Sequence, residues 1–270
     1  MKTNLVWLAV VCHMITVSLS ATVQARTETI FPAIPLVSEL YESEVEMWSS
    51  PWNSGWGASY ELGLNGASGN ATNFNMSTAL KMTRTLNSRI TNLDLNYAQA
   101  SNDSVVIRDF ALFRLRNEYL LGDSRWSIFT EGTLEYDRFQ AFDFRLTTAS
   151  GLGYRFIDNE TTTLKTRTGL GTSREFGGPS DEWKPELALG LDFKHKLTNH
   201  QGLYVTNDLY PNWTDFSDFR MITDAGWQLL IDEATRTSLK VGVINRHDST
   251  PQGQKANDLN YSVLLMWNTK

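Results

Sequence analysis

The sequence predicts an all-β protein: a closed antiparallel up-and-down transmembrane β-barrel of about twelve strands. Three observations carry that prediction. Apolar and polar residues alternate one for one through most of the chain after residue 55, the period of a strand whose two faces meet different surroundings. The alternating runs are roughly ten residues long, close to the 9–11 that a tilted strand needs to cross a bilayer. Clusters of Gly, Asn, Asp and Ser punctuate the runs, as antiparallel reversals require.

A soluble barrel shows the same alternation with its apolar face turned inward. Three features favour the membrane arrangement. The apolar faces are long and rich in Leu. Aromatics gather at run ends, at Trp56, Phe74, Trp126, Phe142, Phe156, Phe176, Trp183, Trp213 and Trp267, as interfacial girdles do. The polar faces carry Gly63, Gly151, Gly153, Gly169, Gly171, Gly190, Gly226 and Gly242, which would relieve crowding on the concave side of a closed sheet.

The 270 residues carry a formal charge of -6. That balance argues against a general nucleic-acid binder, which needs a basic face. The mean hydropathy of -0.31 does not exclude a membrane barrel, whose alternating strands average to nothing.

Residues 1–25 read as a cleaved secretory signal, with Lys2 as the charged start, Leu5 to Leu19 as the apolar core and Val23-Gln24-Ala25 as the cleavage region. The one cysteine, Cys12, lies inside it, so no disulfide or thiolate chemistry is expected of the exported chain. Residues 26–55, interrupted by Pro32, Pro35 and Pro51, read as a partly disordered lead-in. The barrel is expected over residues 56–270.

The first strand is Trp56 to Leu64, with Ala58, Tyr60 and Leu62 on one face and Ser59, Glu61 and Gly63 on the other. Later strands follow the same rule around turns at 86–88, 101–103, 122–124, 158–160, 198–201 and 232–234. If both termini face the periplasm, the outward connections are residues 66–73, 100–104, 139–143, 176–182, 211–219 and 247–258. By parity the lumen-lining acids are Glu61, Asp94, Glu118, Glu131, Glu135, Asp137, Glu186, Asp192, Asp208 and Asp224. The bases are Lys81, Arg108, Arg114, Arg116, Arg145, Arg155, Lys165, Arg167, Lys194, Lys240 and Arg246. Near-balance of sign predicts no strong ion selectivity. The charges either pair across the lumen and close it or line a narrow aqueous pore.

Five segments resemble a bacterial family of salt-induced outer-membrane proteins, also catalogued as domain of unknown function 481: ELGLNGASGN (61–70), FTEGTLEYDRFQAFDFR (129–145), SREFGGPSDEWKPE (173–186), YPNWTDFSDFR (210–220) and DSTPQGQKANDLNY (248–261). The resemblance implies a signal-bearing barrel of the Gram-negative outer membrane, porin-like in build, in contact with outer-membrane lipid and with the outer-membrane assembly machinery. It implies no activity. Strands of this class commonly end on an aromatic residue, whereas here Asn268-Thr269-Lys270 follows Trp267.

Chemistry beyond the barrel is sparse. His195, His200 and His247 match no metal spacing. His247 beside Ser249 lacks the nucleophile-elbow context of a hydrolase. Asp181, Asp215, Asp218, Asp248 and Asp258 make the outward end acidic and are the candidates for a loop ligand or cation, against the plainer reading of solvated turn aspartates. No cofactor, metal or catalytic residue is expected. The ligand is open.

Overall fold

A computed structural model describes residues 55–68, 72–179 and 181–269. The signal and lead-in expectations lie outside them. The described chain forms twelve strands: β1 (Trp56–Ala67), β2 (Asn73–Leu86), β3 (Arg89–Asn102), β4 (Val105–Leu120), β5 (Trp126–Asp137), β6 (Phe144–Asp158), β7 (Thr162–Phe176), β8 (Trp183–Lys196), β9 (Gln201–Asn212), β10 (Asp215–Asp232), β11 (Thr237–Asp248) and β12 (Asn257–Asn268). Each pairs antiparallel with its chain neighbours, and β1 pairs with β12 to close the barrel.

The two ends differ. The end holding both chain ends of the barrel has short turns. One is Asn87-Ser88, where Asn87 takes φ 52°, a left-handed conformation that Asn tolerates. The other end, the loop end, carries the longer connections at 138–143, 177–182 and 249–256. Two loop-end connections are shorter than the sequence suggests. The expected loops 100–104 and 211–219 shrink to 103–104 and 213–214. At the first, Asp103 and Ser104 both have positive φ, 45° and 64°, so a two-residue reversal suffices. At the second, the ladder continues beyond the apolar stretch and absorbs its irregularity as a register shift between Asp215 and Phe219. The strands therefore run to 12–18 residues, longer than a bilayer crossing alone needs.

Exposure settles the orientation of the faces. Leu64 is 59% exposed and Tyr261 86%, whereas Glu61 is 3% exposed. Apolar residues cover the outside and charged residues the inside, the arrangement of a transmembrane barrel. Outward aromatics band both ends. Trp126, Tyr154 and Phe156 pack edge to face near the termini, with centroids 4.7 and 4.8 Å apart. Phe144 stacks on Phe176 at the loop end at 4.9 Å. Arg84 lies over Trp56, and Arg174 over Phe176 and Trp183, so outward arginines near the ends lie on rings. Phe142 departs from the girdle expectation. It is buried, with the Arg145 guanidinium 4.4 Å from its ring centre, because its loop folds inward over the mouth.

Candidate functional site

The inward residues do not merely line a lumen; they bridge it. Arg114 on β4 reaches Asp208 on β9 at 3.3 Å, and Tyr210 on β9 donates to Glu131 on β5 at 3.0 Å. β4 and β9 are five strands apart in the ring of twelve, nearly opposite, and β5 and β9 are four apart. Arg167 on β7 donates to Asp208 at 2.8 Å and pairs with Asp192. Arg116 pairs with Glu131 and lies 4.0 Å from Asp192. Three guanidiniums thus interleave with three carboxylates at mid-height. Phe129 and Tyr210, 2% and 5% exposed, fill the remaining space. A cavity among Phe129, Glu131, Arg167, Asp208 and Tyr210 measures about 10 Å³, room for one water.

Two further clusters brace the interior. Lys240 on β11 donates to both Glu61 oxygens, at 2.9 and 3.1 Å, passing over β12. Lys81 meets the same carboxylate at 3.1 Å. Beside them Tyr204 donates to Asp224 at 3.0 Å. Gly226 and Gly242 make room for that ring: a Cβ at Gly226 would lie 2.6 Å from the Tyr204 oxygen. Nearer the loop end Arg220 donates to both oxygens of Glu186 at 2.8 Å, and Ser173 donates to the same side chain.

The mouth at the loop end is strapped. Asp248 accepts from Arg145 at 3.0 Å, and Arg145 also donates to Glu175 at 2.9 Å. Phe219 donates its backbone N–H to Ser249 Oγ at 2.7 Å, and Thr250 donates to Asp218 at 2.8 Å. Segment 249–256 is thereby tied to β10, and Asp248 just before it to β6. Below it lies a small vestibule of about 30 Å³, bordered by Glu135, Asp137, Arg246, Lys255 and Asp258. The Arg246 guanidinium sits 4.2 Å from the Phe110 ring centre.

The parity residues are therefore dispersed among several clusters. Arg155 turns to Asp158 and the Ser124 carbonyl near the termini. Lys165 lies 3.9 Å from Glu118. Of the loop aspartates, Asp181 pairs with Arg174 at 2.7 Å, and that hydrogen bond holds its carboxyl below the usual range. Asp215 caps its own turn by accepting from Ser217, which lowers it likewise. Burial pushes Asp218 upward, but Thr250, Lys184 and Asn212 outweigh it and leave that carboxyl low. Asp258 accepts from Gln140 at 3.4 Å. His247 bonds Asn257, not Ser249. Among the described residues no three His, Cys, Asp or Glu side chains gather as a metal group. Tyr204 and Tyr210 were not singled out from the sequence, although the period-two face Tyr204, Thr206, Asp208, Tyr210 carries the signal.

An apolar exterior around a charged, bridged interior defines a transmembrane β-barrel. The chain belongs to the family described as protein of unknown function DUF481, whose model matches residues 60–268. No curated protein matches it. Among solved structures it is similar to the COG4313 outer membrane channel from Pseudomonas putida F1, with TM-score 0.43 and 10% identity over 79% of this chain and 93% of that one. It is also similar to the NanC porin, with TM-score 0.43 and 8% identity over 79% and 97%. The translocator domain of autotransporter NalP from Neisseria meningitidis gives TM-score 0.39 and 12% identity over 86% and 95%.

Proposed function

We propose that the protein is a non-enzymatic outer-membrane barrel whose lumen is closed at rest, with the loop end facing outward. The observation that carries this reading is contact across the lumen between strands that are not neighbours, Arg114 with Asp208 and Glu131 with Tyr210. A porin keeps its lumen wide and wet; here the same space is occupied by paired charge and aromatic rings. Closure by ion pairs is structurally stiff, because Arg116 and Arg167 each have partners on more than one strand. The role is then to brace the envelope and to present the acidic outward loops. A gated narrow pore is the second reading, favoured by the polar-lined vestibule of about 30 Å³ bordered by Glu135, Asp137, Arg220 and Arg246. The salt link implied by the family resemblance belongs to the same proposal. It predicts that a deletion strain loses fitness as external salt rises, and an indifferent strain would remove it.

Refolded protein in planar bilayers tests closure. Insertion, verified by a heat-dependent gel shift, should give no conductance steps at low voltage. Discrete steps in the unmodified protein would overturn the closed reading and support the pore.

A further inference from the structure

The charges of the vestibule under segment 249–256 stand differently from those below it. At mid-height the guanidiniums lie directly on carboxylates. In the vestibule they stay apart. Arg246 on β11 and Asp258 on β12 are cross-strand neighbours, yet they form no ion pair among the described residues. Arg246 instead crosses the mouth to Phe110 on β4, with its guanidinium 4.2 Å from the ring centre. Arg108 lies over the same ring at 5.9 Å and donates to Asn260. A guanidinium resting on a ring face keeps its in-plane N–H groups available. Among the described residues none accepts from those of Arg246.

The other groups around this space are also under-used. Glu135 and Lys255 border it and form no hydrogen bond or ion pair among the described residues. The β4–β5 ladder sets Asp137 beside Phe110, and Asp137 accepts from the Phe139 backbone N–H at 2.9 Å. Asp258 accepts from Gln140 at 3.4 Å. The charges of Glu135, Asp137 and Asp258 act on Arg246 without closing to an ion pair. Arg145 and Arg220, on the same wall, are already held by Glu175, Asp248 and Glu186. The remaining capacity therefore carries both signs. A small anion entering here meets the carboxylates, and a small cation meets Arg246; each leaves one sign without a partner. A molecule with a charge of each sign satisfies both. The volume of about 30 Å³, space for about two waters, restricts the occupant to a small one.

We infer that the vestibule binds a small zwitterion of the α-amino-acid class, its carboxylate on the free edge of Arg246 beside Lys255 and its ammonium toward Glu135, Asp137 and Asp258. The paired N–H donors of a guanidinium edge match a carboxylate, which gives the site its direction. The inference goes beyond the closed-barrel reading and holds equally for a gated pore. The outward placement of the loop end decides only from which side the ligand arrives.

Equilibrium dialysis of isotopically labelled glycine against the refolded barrel, its folding verified by the heat-dependent gel shift, tests the site. Binding should saturate at one glycine per barrel. Acetate and methylammonium, each supplying one end alone, should compete about tenfold or more weakly than unlabelled glycine. Arg246→Gln should weaken glycine by about tenfold or more. Glu135→Gln keeps the side chain's shape and breaks no ion pair among the described residues, so it keeps the test open if the arginine variant does not refold; it should weaken glycine as well. A folded barrel without saturable glycine binding would overturn the inference while leaving the membrane reading standing. Acetate competing as well as glycine would overturn it in favour of a plain anion site. Unchanged affinity in either folded variant would overturn it too.

Discussion

The arc from β4 to β9 and the seam between β1 and β12 solve the same problem in opposite ways. In the arc, the ladders are long and the inward side chains are charged, so strands are held both by backbone pairing and by struts across the lumen. At the seam, four ladder pairs hold the edges, and the braces behind them are few: Lys240 reaches over β12 to Glu61, and Arg108 donates to Asn260. Buried charges hold geometry strongly but punish any missing partner. The barrel therefore concentrates its ion pairs on one side and relies at the seam on a short ladder with a few side-chain braces.

The comparison breaks most readily at Asp208. Asp208→Ala removes the carboxylate that meets Arg114 and Arg167 and takes from the buried Arg114 its ion-pair partner, while Arg167 keeps Asp192; the cost is about 3–5 kcal/mol. Urea unfolding followed by gel mobility should show that loss. Ser262→Ala beside the seam should stay within about 0.5 kcal/mol. Equal losses would erase the distinction between the two regions.

Glycines sharpen it. Gly226→Ala sets a Cβ 2.6 Å from both the Tyr204 oxygen and the Val241 carbonyl, and should cost about 1–3 kcal/mol by forcing backbone or ring aside. Gly63→Ala meets chiefly the movable end of Leu264, so the same unfolding assay should register less. Leu264 fills the space beside Gly63 just past the last β1–β12 pair, Leu62↔Leu265; with Leu264→Ala, the yield of an engineered Leu64→Cys/Val263→Cys disulfide should rise. An unchanged yield would show that Leu264 does not hold the two strands apart.

The smallest effect is expected at the strap. The Asp218 carboxyl is held low by Thr250, Lys184 and Asn212 against the opposing pull of burial. Its contribution is therefore present above the ordinary carboxylate range and is lost as pH falls through its lowered value. Limited proteolysis of 249–256 should accelerate in that acid window, and Asp218→Asn should flatten the dependence.

Much of this was legible in the alternation. Parity put Glu61, Glu131, Arg167 and Lys240 on one face, and each is inward. Parity says nothing about height or angle around the ring, so it could not pair Arg114 with Asp208, ninety-odd positions away in the chain, or separate Arg155 from the central cluster. Phe142 misled because an aromatic at a run end has the same composition whether its loop folds out to lipid or in over Arg145. Loop lengths misled for a related reason: the polar residues of 211–219 continue a ladder that needs no apolar face. Tyr204 and Tyr210 were hidden by their type, since tyrosine suits a membrane interface as well as a packed interior.

The seam also fixes the order in which the barrel can form. Each of the other eleven ladders joins strands adjacent in the chain and can close as a hairpin. The remaining one joins Ser59 to Asn268, across nearly the whole sequence, so its entropy of closure is the largest and its few pairs return the least. Loop-closure entropy therefore predicts it as the last ladder to form. A circularly permuted chain opened between Asp103 and Ser104 would turn this junction into a local one and transfer the slow step to β3 and β4.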